Sequence, residues 1–348
     1  MRIRLLSGRW KLLLIAALVL AMVPLMVWGQ SGYFLFYPGM AVDTGEMVTV
    51  LEASEAEGRF LMTTVKAHEA TFGQLVYGVL NPRIGVYHRR QVIPPEMDMD
   101  DYSEYAKEMM AESQAVAVLL AHRHLGRSVE VTGDGVVLMQ VVPGSTWSTF
   151  ASGLDPYPEE GDVIVALDEM PVDTLDDLTA LLIQALVEDR EAVNLSLDRG
   201  EEKLEARLPT FMFPEEGLRE GLWVGAIGAV MKTRNLSVTP SVDIQVDAGE
   251  VGGPSAGLIF LLEMINQLSA DDLTGGRTVA GTGALSETGE VLPVGGVRQK
   301  VMAAEEAGAD VFFVPRWMVP EATRAADHVE VVPVGILNDA LVHLQDSP

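Results

Sequence analysis

The chain has 348 residues, 48% of them hydrophobic, with 50 acidic against 24 basic residues and a formal net charge of −26. That balance argues against nucleic-acid binding through a basic face; it fits a solvated charged surface, or an acidic face made for a basic partner. With no cysteine in the chain, disulfides, thiolate metal sites and a cysteine nucleophile are excluded.

At the N-terminus, Arg2, Arg4, Arg9 and Lys11 precede a charge-free apolar run from Leu12 to Trp28. Its length sits at the short end of the roughly 17–25 residues that cross a bilayer. The run leaves through Met26-Val27-Trp28-Gly29-Gln30, with an interfacial tryptophan and no small-x-small cleavage site. We therefore read it as an uncleaved anchor rather than a signal peptide. The positive-inside rule makes 1–11 a short cytoplasmic tail and 12–29 a transmembrane anchor, with everything beyond about residue 30 outside the cytoplasmic membrane.

Residues 31–100 read as strands separated by turns, with Gly58 to Val65 the most β-rich run and Pro82, Pro94 and Pro95 as punctuation. Residues 103–125 read as a helix capped by Ser103 and ended by Gly126. His122 and His124 are two apart and point to different helix faces. With six histidines and no H-E-x-x-H, no metal site is expected.

From 129 to 210 the texture changes. Strand Val136–Val142 runs into the turn Pro143-Gly144-Ser145, then Gly153-Leu154, then the strand Gly161–Leu167. A helical stretch at 174–187 and a strand at 192–198 follow, closing on Arg199-Gly200. This ordered set resembles a bacterial PDZ domain. The resemblance implies peptide binding by strand addition at the edge of the strand from Val136. Gly133, Gly135, Val136, Val137 and Leu138 would hold the peptide end; the alternative is a spacer with a closed groove.

The richest pattern is Gly252-Gly253-Pro254-Ser255-Ala256-Gly257-Leu258, continued by Ile259, Leu262, Ile265 and Leu268 at helical spacing. Proline belongs in the first turn of a helix, so Ser255 falls at a helix N-terminus, where backbone N–H groups and the dipole favour developing negative charge. The backbone amides of Gly253, Ser255 and Ala256 are the candidate oxyanion donors. A phosphate cradle is the rival reading, but neither G-x-x-x-x-G-K-[ST] nor G-x-G-x-x-G occurs. A serine nucleophile needs a base. Lysine is scarce, six in all, and only Lys300 follows a Gly-Gly turn into an alanine-rich helix face of Ala303, Ala304 and Ala307. Close packing there would desolvate the amine and lower its pKa; the alternative is a solvated surface cation.

The stretch Gly252–Pro315 resembles the proteolytic domain of Lon-type serine proteases, which use a Ser-Lys dyad. Gly252–Leu258 is similar to the nucleophile motif, Thr282-Gly283 to Gly296 to the segment before the lysine, and Lys300-Val301-Met302-Ala303-Ala304 to the lysine helix. Thr282 falls where that family has a threonine supporting the dyad. Two positions depart from the pattern: Gly252 and Ala284 stand where acidic residues are usual. With anchor and PDZ, the chain resembles the membrane-bound PDZ-containing Lon-like proteases. The resemblance implies an α+β fold and an endopeptidase acting through an acyl-enzyme on flexible or already unfolded protein segments. No Walker motif occurs, so neither ATP nor another cofactor is called for, and an oligomer is compatible with the pattern. A catalytically silent PDZ adaptor or chaperone on the same scaffold is the alternative. Finally, Met109-Met110-Ala111-Glu112-Ser113 through Ala117 resembles a helix that Lon-type domains carry before the nucleophile. We therefore expect residues 126–210 to be inserted between 30–125 and 211–348 of one protease domain, rather than three units in series.

Overall fold

The computed structural model describes residues 26–50, 56–151, 153 and 156–346, with isolated positions before residue 26. The expected tail 1–11, and part of the expected anchor 12–29, lie outside the described residues. Among the described residues no helix is long and apolar enough to cross a membrane.

A six-stranded mixed sheet forms the larger unit. Its order is Glu330–Val334, Val311–Pro315, Thr278–Gly281, Arg59–Thr71, Gln30–Asp43 and Gly85–His88. Strands from before residue 90 and after residue 277 thus share one sheet, and the junction is parallel: Thr278–Gly281 runs beside Arg59–Met62. A parallel pairing needs a covered sheet, and helices supply the cover. On one face lies the helix Gly257–Leu268, in which Leu258 through Leu262 are all fully buried. An apolar girdle of that kind belongs to a helix enclosed on every side. Over it crosses the long helix Met99–His124, and Val116, Ala117, Leu120 and Ala121 join the same core. The helix Val297–Glu306 packs a separate core with Leu61, Ala280, Phe312 and Val314.

A second sheet carries its own core. Its order is Glu202–Pro209, Ala192–Arg199, Val163–Leu167, Val136–Val141 and Ala229–Thr233. The helix Leu175–Val187, capped by Thr174, packs Leu175, Leu178, Leu182 and Ala185 against it. Trp147, Phe213 and Trp223 complete this core, which reaches Met231. The expected boundary at 210 therefore falls inside this unit.

Three local expectations are corrected. The long helix begins at Met99, not near Ser103, because Asp98 accepts the amides of Asp100 and Asp101 and forms a capping box. Within the supposed strand-and-turn region, Phe72–Leu80 is a helix, started by a capping box between Thr71 and Gln74. The edge of Val136–Val141 assigned to a peptide is occupied. Ala229–Thr233 pairs along it from Val141 to Val136, while Val136 and Val137 also pair with Ile164 and Val163 on the other side. Val136 and Leu138 are buried. Asp134 donates its amide to the Arg234 carbonyl, and Arg234 returns its own to Gly135. At Gly133 a β-carbon would stand 2.1 Å from the Thr233 methyl. An unpaired strand edge is a template for any strand within reach, and here the chain's own later strand takes it.

Candidate active site

The nucleophile turn is fixed by close backbone approach. Gly253 adopts φ +91°, a region that favours glycine, and hands the chain into the short turn Pro254–Ala256 ahead of the buried helix. Its N–H donates to the Ala106 carbonyl at 2.7 Å. At Gly252 a β-carbon would lie 2.9 Å from that of Ala106. The long helix therefore leaves no room for an acidic side chain at 252, which accounts for the departure there. It also corrects one assignment, because the Gly253 N–H is already bonded and cannot serve a developing oxyanion. Of the three proposed donors, Ser255 and Ala256 remain, both on the cleft wall. Ser113 Oγ, from the long helix, donates to the Pro254 carbonyl at 3.0 Å and secures the turn.

Lys300 reaches the serine from the opposite side. The turn Gly295-Gly296 enters its helix with Gly296 at φ +70°, where a β-carbon would strike Val65 at 2.7 Å. Lys300 Nζ lies 2.6 Å from Ser255 Oγ and 2.9 Å from Thr282 Oγ1. The lysine is 3% exposed and Thr282 fully buried. Neither partner carries charge, so burial dominates and lowers the Lys300 pKa from 10.5 to about 7. The Thr282 hydroxyl donates to the Ser255 carbonyl at 3.1 Å and so is left to accept from the amine. Gly283 donates its N–H to the same carbonyl at 2.9 Å. A neutral amine held this way gives one hydrogen to Thr282 and turns its lone pair to the serine hydroxyl.

Ser255 and Lys300 open on a cleft of about 870 Å³. Its walls are mainly apolar, with Phe36, Met62, Val65, Met110 and Val294 among them. One side is the stretch Thr63–Ala67. The pairing of that strand with Thr278–Gly281 ends at Met62, so beyond it the edge meets the cleft. His122 is buried, with Nδ1 at the Val118 carbonyl and Nε2 accepting from the Val242 amide, a structural role. Among the described residues no cluster could hold a metal ion.

Three contributors were not singled out from the sequence. Ala106 acts through its carbonyl and its closeness, for which a sequence carries no signal. Glu287 and Glu290 lie buried in a turn whose composition, Ser-Glu-Thr-Gly-Glu, reads as solvent-exposed.

Residues 227–345 match the family model of the Lon protease (S16) C-terminal proteolytic domain, a serine-type peptidase domain with a Ser-Lys dyad. The archaeal Lon protease of Archaeoglobus fulgidus is 37% identical over 100 residues, 28% of this chain and 16% of its own length. That of Thermoplasma acidophilum is 39% identical over 102 residues, 28% of this chain and 15% of its own. The Lon protease of Mycolicibacterium smegmatis is 32% identical over 117 residues, again 28% and 15%. The chain thus spans about a sixth of the length of these relatives.

Proposed function

We propose that the chain is an ATP-independent serine endopeptidase in which Ser255 attacks the scissile carbonyl and Lys300 is the general base. The observation that carries this is the 2.6 Å contact between Lys300 Nζ and Ser255 Oγ at an amine with a pKa of about 7. A fair fraction of such an amine is unprotonated at neutral pH, which suits proton abstraction. Nζ takes the hydroxyl proton as Oγ bonds to the carbonyl carbon, and returns it to the amine nitrogen when the C–N bond breaks. Water then repeats the cycle on the acyl-enzyme, releasing the acid. Thr282 orients the amine throughout. The substrate is an extended, apolar protein segment: the strand edge Thr63–Ala67 offers backbone pairing, and the apolar walls take its side chains. Folded substrates would not enter a cleft of this size.

The same reading makes 30–125 and the C-terminal region one protease domain with a PDZ-type module inserted, because both halves contribute to one sheet. With its strand edge filled by Ala229–Thr233, that module leaves substrate selection to the cleft. The charge-free run after Lys11 supports anchoring at the outer face of the cytoplasmic membrane.

The test of the dyad is hydrolysis of an unfolded protein by the full chain and by Ser255→Ala and Lys300→Ala. Both variants should be inactive, and the double variant no worse than either. Near-normal turnover by Lys300→Ala would remove the lysine from the mechanism. Protease added to intact cells stripped of outer layers should digest residues beyond 30 and spare a tag at residue 1. Digestion of that tag would reverse the orientation.

A further inference from the structure

Between the two units stands one small hairpin, Ala284–Leu285 paired with Val291–Leu292. Its turn reaches into the second unit and its root is the active site. At the tip, Glu287 takes Thr233 with both carboxylate oxygens: Oε1 accepts the amide and Oε2 the hydroxyl, each at 2.6 Å. The Thr233 hydroxyl in turn accepts the Leu175 amide, at the start of the second unit's helix. Glu290 accepts the amides of Val224 and Gly225 at 2.9 Å, and Thr288 donates its hydroxyl to the Gly221 carbonyl at 2.7 Å.

At the root, Thr282 Oγ1 and Gly283 N–H both donate to the Ser255 carbonyl, and the Gly283 carbonyl accepts the Leu258 amide. A β-carbon at Gly283 would lie 2.5 Å from Val291 of the facing strand, so the root has no slack. Gly283 at the root and Glu287 at the tip are four positions apart, at most about 13 Å of extended chain. A displacement at the tip therefore has a short, hydrogen-bonded path to Ser255.

We propose that Glu287 and Glu290 are positioning residues: they tie the second unit to the hairpin, and the hairpin holds Ser255 and Lys300 in reactive register. Both acids are buried, 5% and 6% exposed, and among the described residues their partners are hydrogen-bond donors rather than cations. A buried carboxyl group is stable only while its donors stay in place. The turn must then follow residues 221–233 wherever the second unit carries them. The strand Ala229–Thr233, filling the edge where a peptide would lie, is thus a built-in ligand whose far end is wired to the dyad. This inference rests on the dyad reading given above.

The experiment compares the full chain with Glu287→Ala, Glu287→Gln and Thr233→Val, following hydrolysis of one extended peptide across pH and phosphonylation of Ser255 by a serine-reactive phosphonate. As a control, Glu112→Gln removes the Lys232–Glu112 ion pair at 2.7 Å, which ties the same strand to the long helix. A 1 Å misplacement of a reacting group costs on the order of 10–100-fold. That loss is expected in kcat for Glu287→Ala and Thr233→Val, with KM little changed and the midpoint of the pH profile displaced. Glu287→Gln, which keeps a carbonyl for the Thr233 amide, should recover part of the rate, and Glu112→Gln should stay within about twofold. Thr233→Val is nearly isosteric and reports even where Glu287→Ala does not fold. Wild-type kcat and pH midpoint in folded Glu287→Ala and Thr233→Val would overturn the inference and leave the dyad intact. An equal loss in Glu112→Gln would overturn it too, as general loosening. A wild-type chain whose Ser255 does not react would overturn the dyad reading and the inference with it.

Discussion

The two units bury charge in opposite ways. In the second, Asp162 is 1% exposed and is met by Arg199, whose Nε and terminal nitrogen hold the two carboxylate oxygens at 2.7 and 2.8 Å. Burial pushes the Asp162 pKa up, but the Arg199 hydrogen bonds and the Glu159 amide outweigh it and hold the carboxyl below its ordinary value. In the first unit, Lys300 is also buried, and its partners among the described residues are two hydroxyls, so nothing opposes desolvation and its pKa falls to about 7. A fork-to-fork pair keeps its charge and serves the fold. An unpaired amine gives its charge up and becomes a base.

The largest effect that separates these roles is on turnover. Ser255→Ala and Lys300→Ala should each lower kcat by roughly 10³-fold or more, while Arg199→Met should leave turnover of the folded chain near wild type. A matching loss in Arg199→Met would erase the distinction.

Next in size is stability. Arg199→Met leaves Asp162 buried without its partner, which for a buried pair costs about 3–5 kcal/mol and somewhat less here because Arg199 is about a third exposed. The pH dependence gives the sign. A carboxyl held below its ordinary pKa contributes stability above the unfolded value, and that contribution is lost as pH falls through the folded one. Denaturant midpoints of wild type and Arg199→Met should therefore converge in acid. If they stayed parallel, the ion pair would not be the source.

Lys300 gives the same slope for the opposite reason, because there the fold disfavours the charged form. Between about 7 and 10.5 the unfolded chain holds a proton on Lys300 that the folded chain does not, so stability rises with pH through that window. Below it the folded chain must bury an ammonium. Lys300→Met should then melt above wild type at pH 6, by about 2–4 °C for each kcal/mol relieved, and the difference should shrink by pH 10. A lower melting point at pH 6 would mean that the ammonium is well accommodated.

How legible these regions were in the sequence follows from the range of the contacts that make them. The nucleophile turn, the lysine helix and the helix at 175–187 are set by residues within a few positions of one another, and local spacing predicts them. The helix Phe72–Leu80 was masked by aromatic, β-branched and glycine residues that suggest strands, and its signal, the Thr71–Gln74 box, is only four residues long. The occupied edge of Val136–Val141 depends on pairing with a strand almost a hundred residues later, where local pattern has no purchase. The burial of Glu287 and Glu290 depends on a second unit docking over an otherwise ordinary polar turn.

The central claim is that an uncharged Lys300 activates Ser255, and the rate of Ser255 phosphonylation by a serine-reactive phosphonate, followed by mass spectrometry across pH, tests it most directly. The rate in the full chain should rise with pH through a midpoint near 7, the value to which burial lowers the amine, and Lys300→Ala should show neither the rate nor the rise. Phosphonylation that is independent of pH from 5 to 9, or a profile unaltered in Lys300→Ala, would contradict the account.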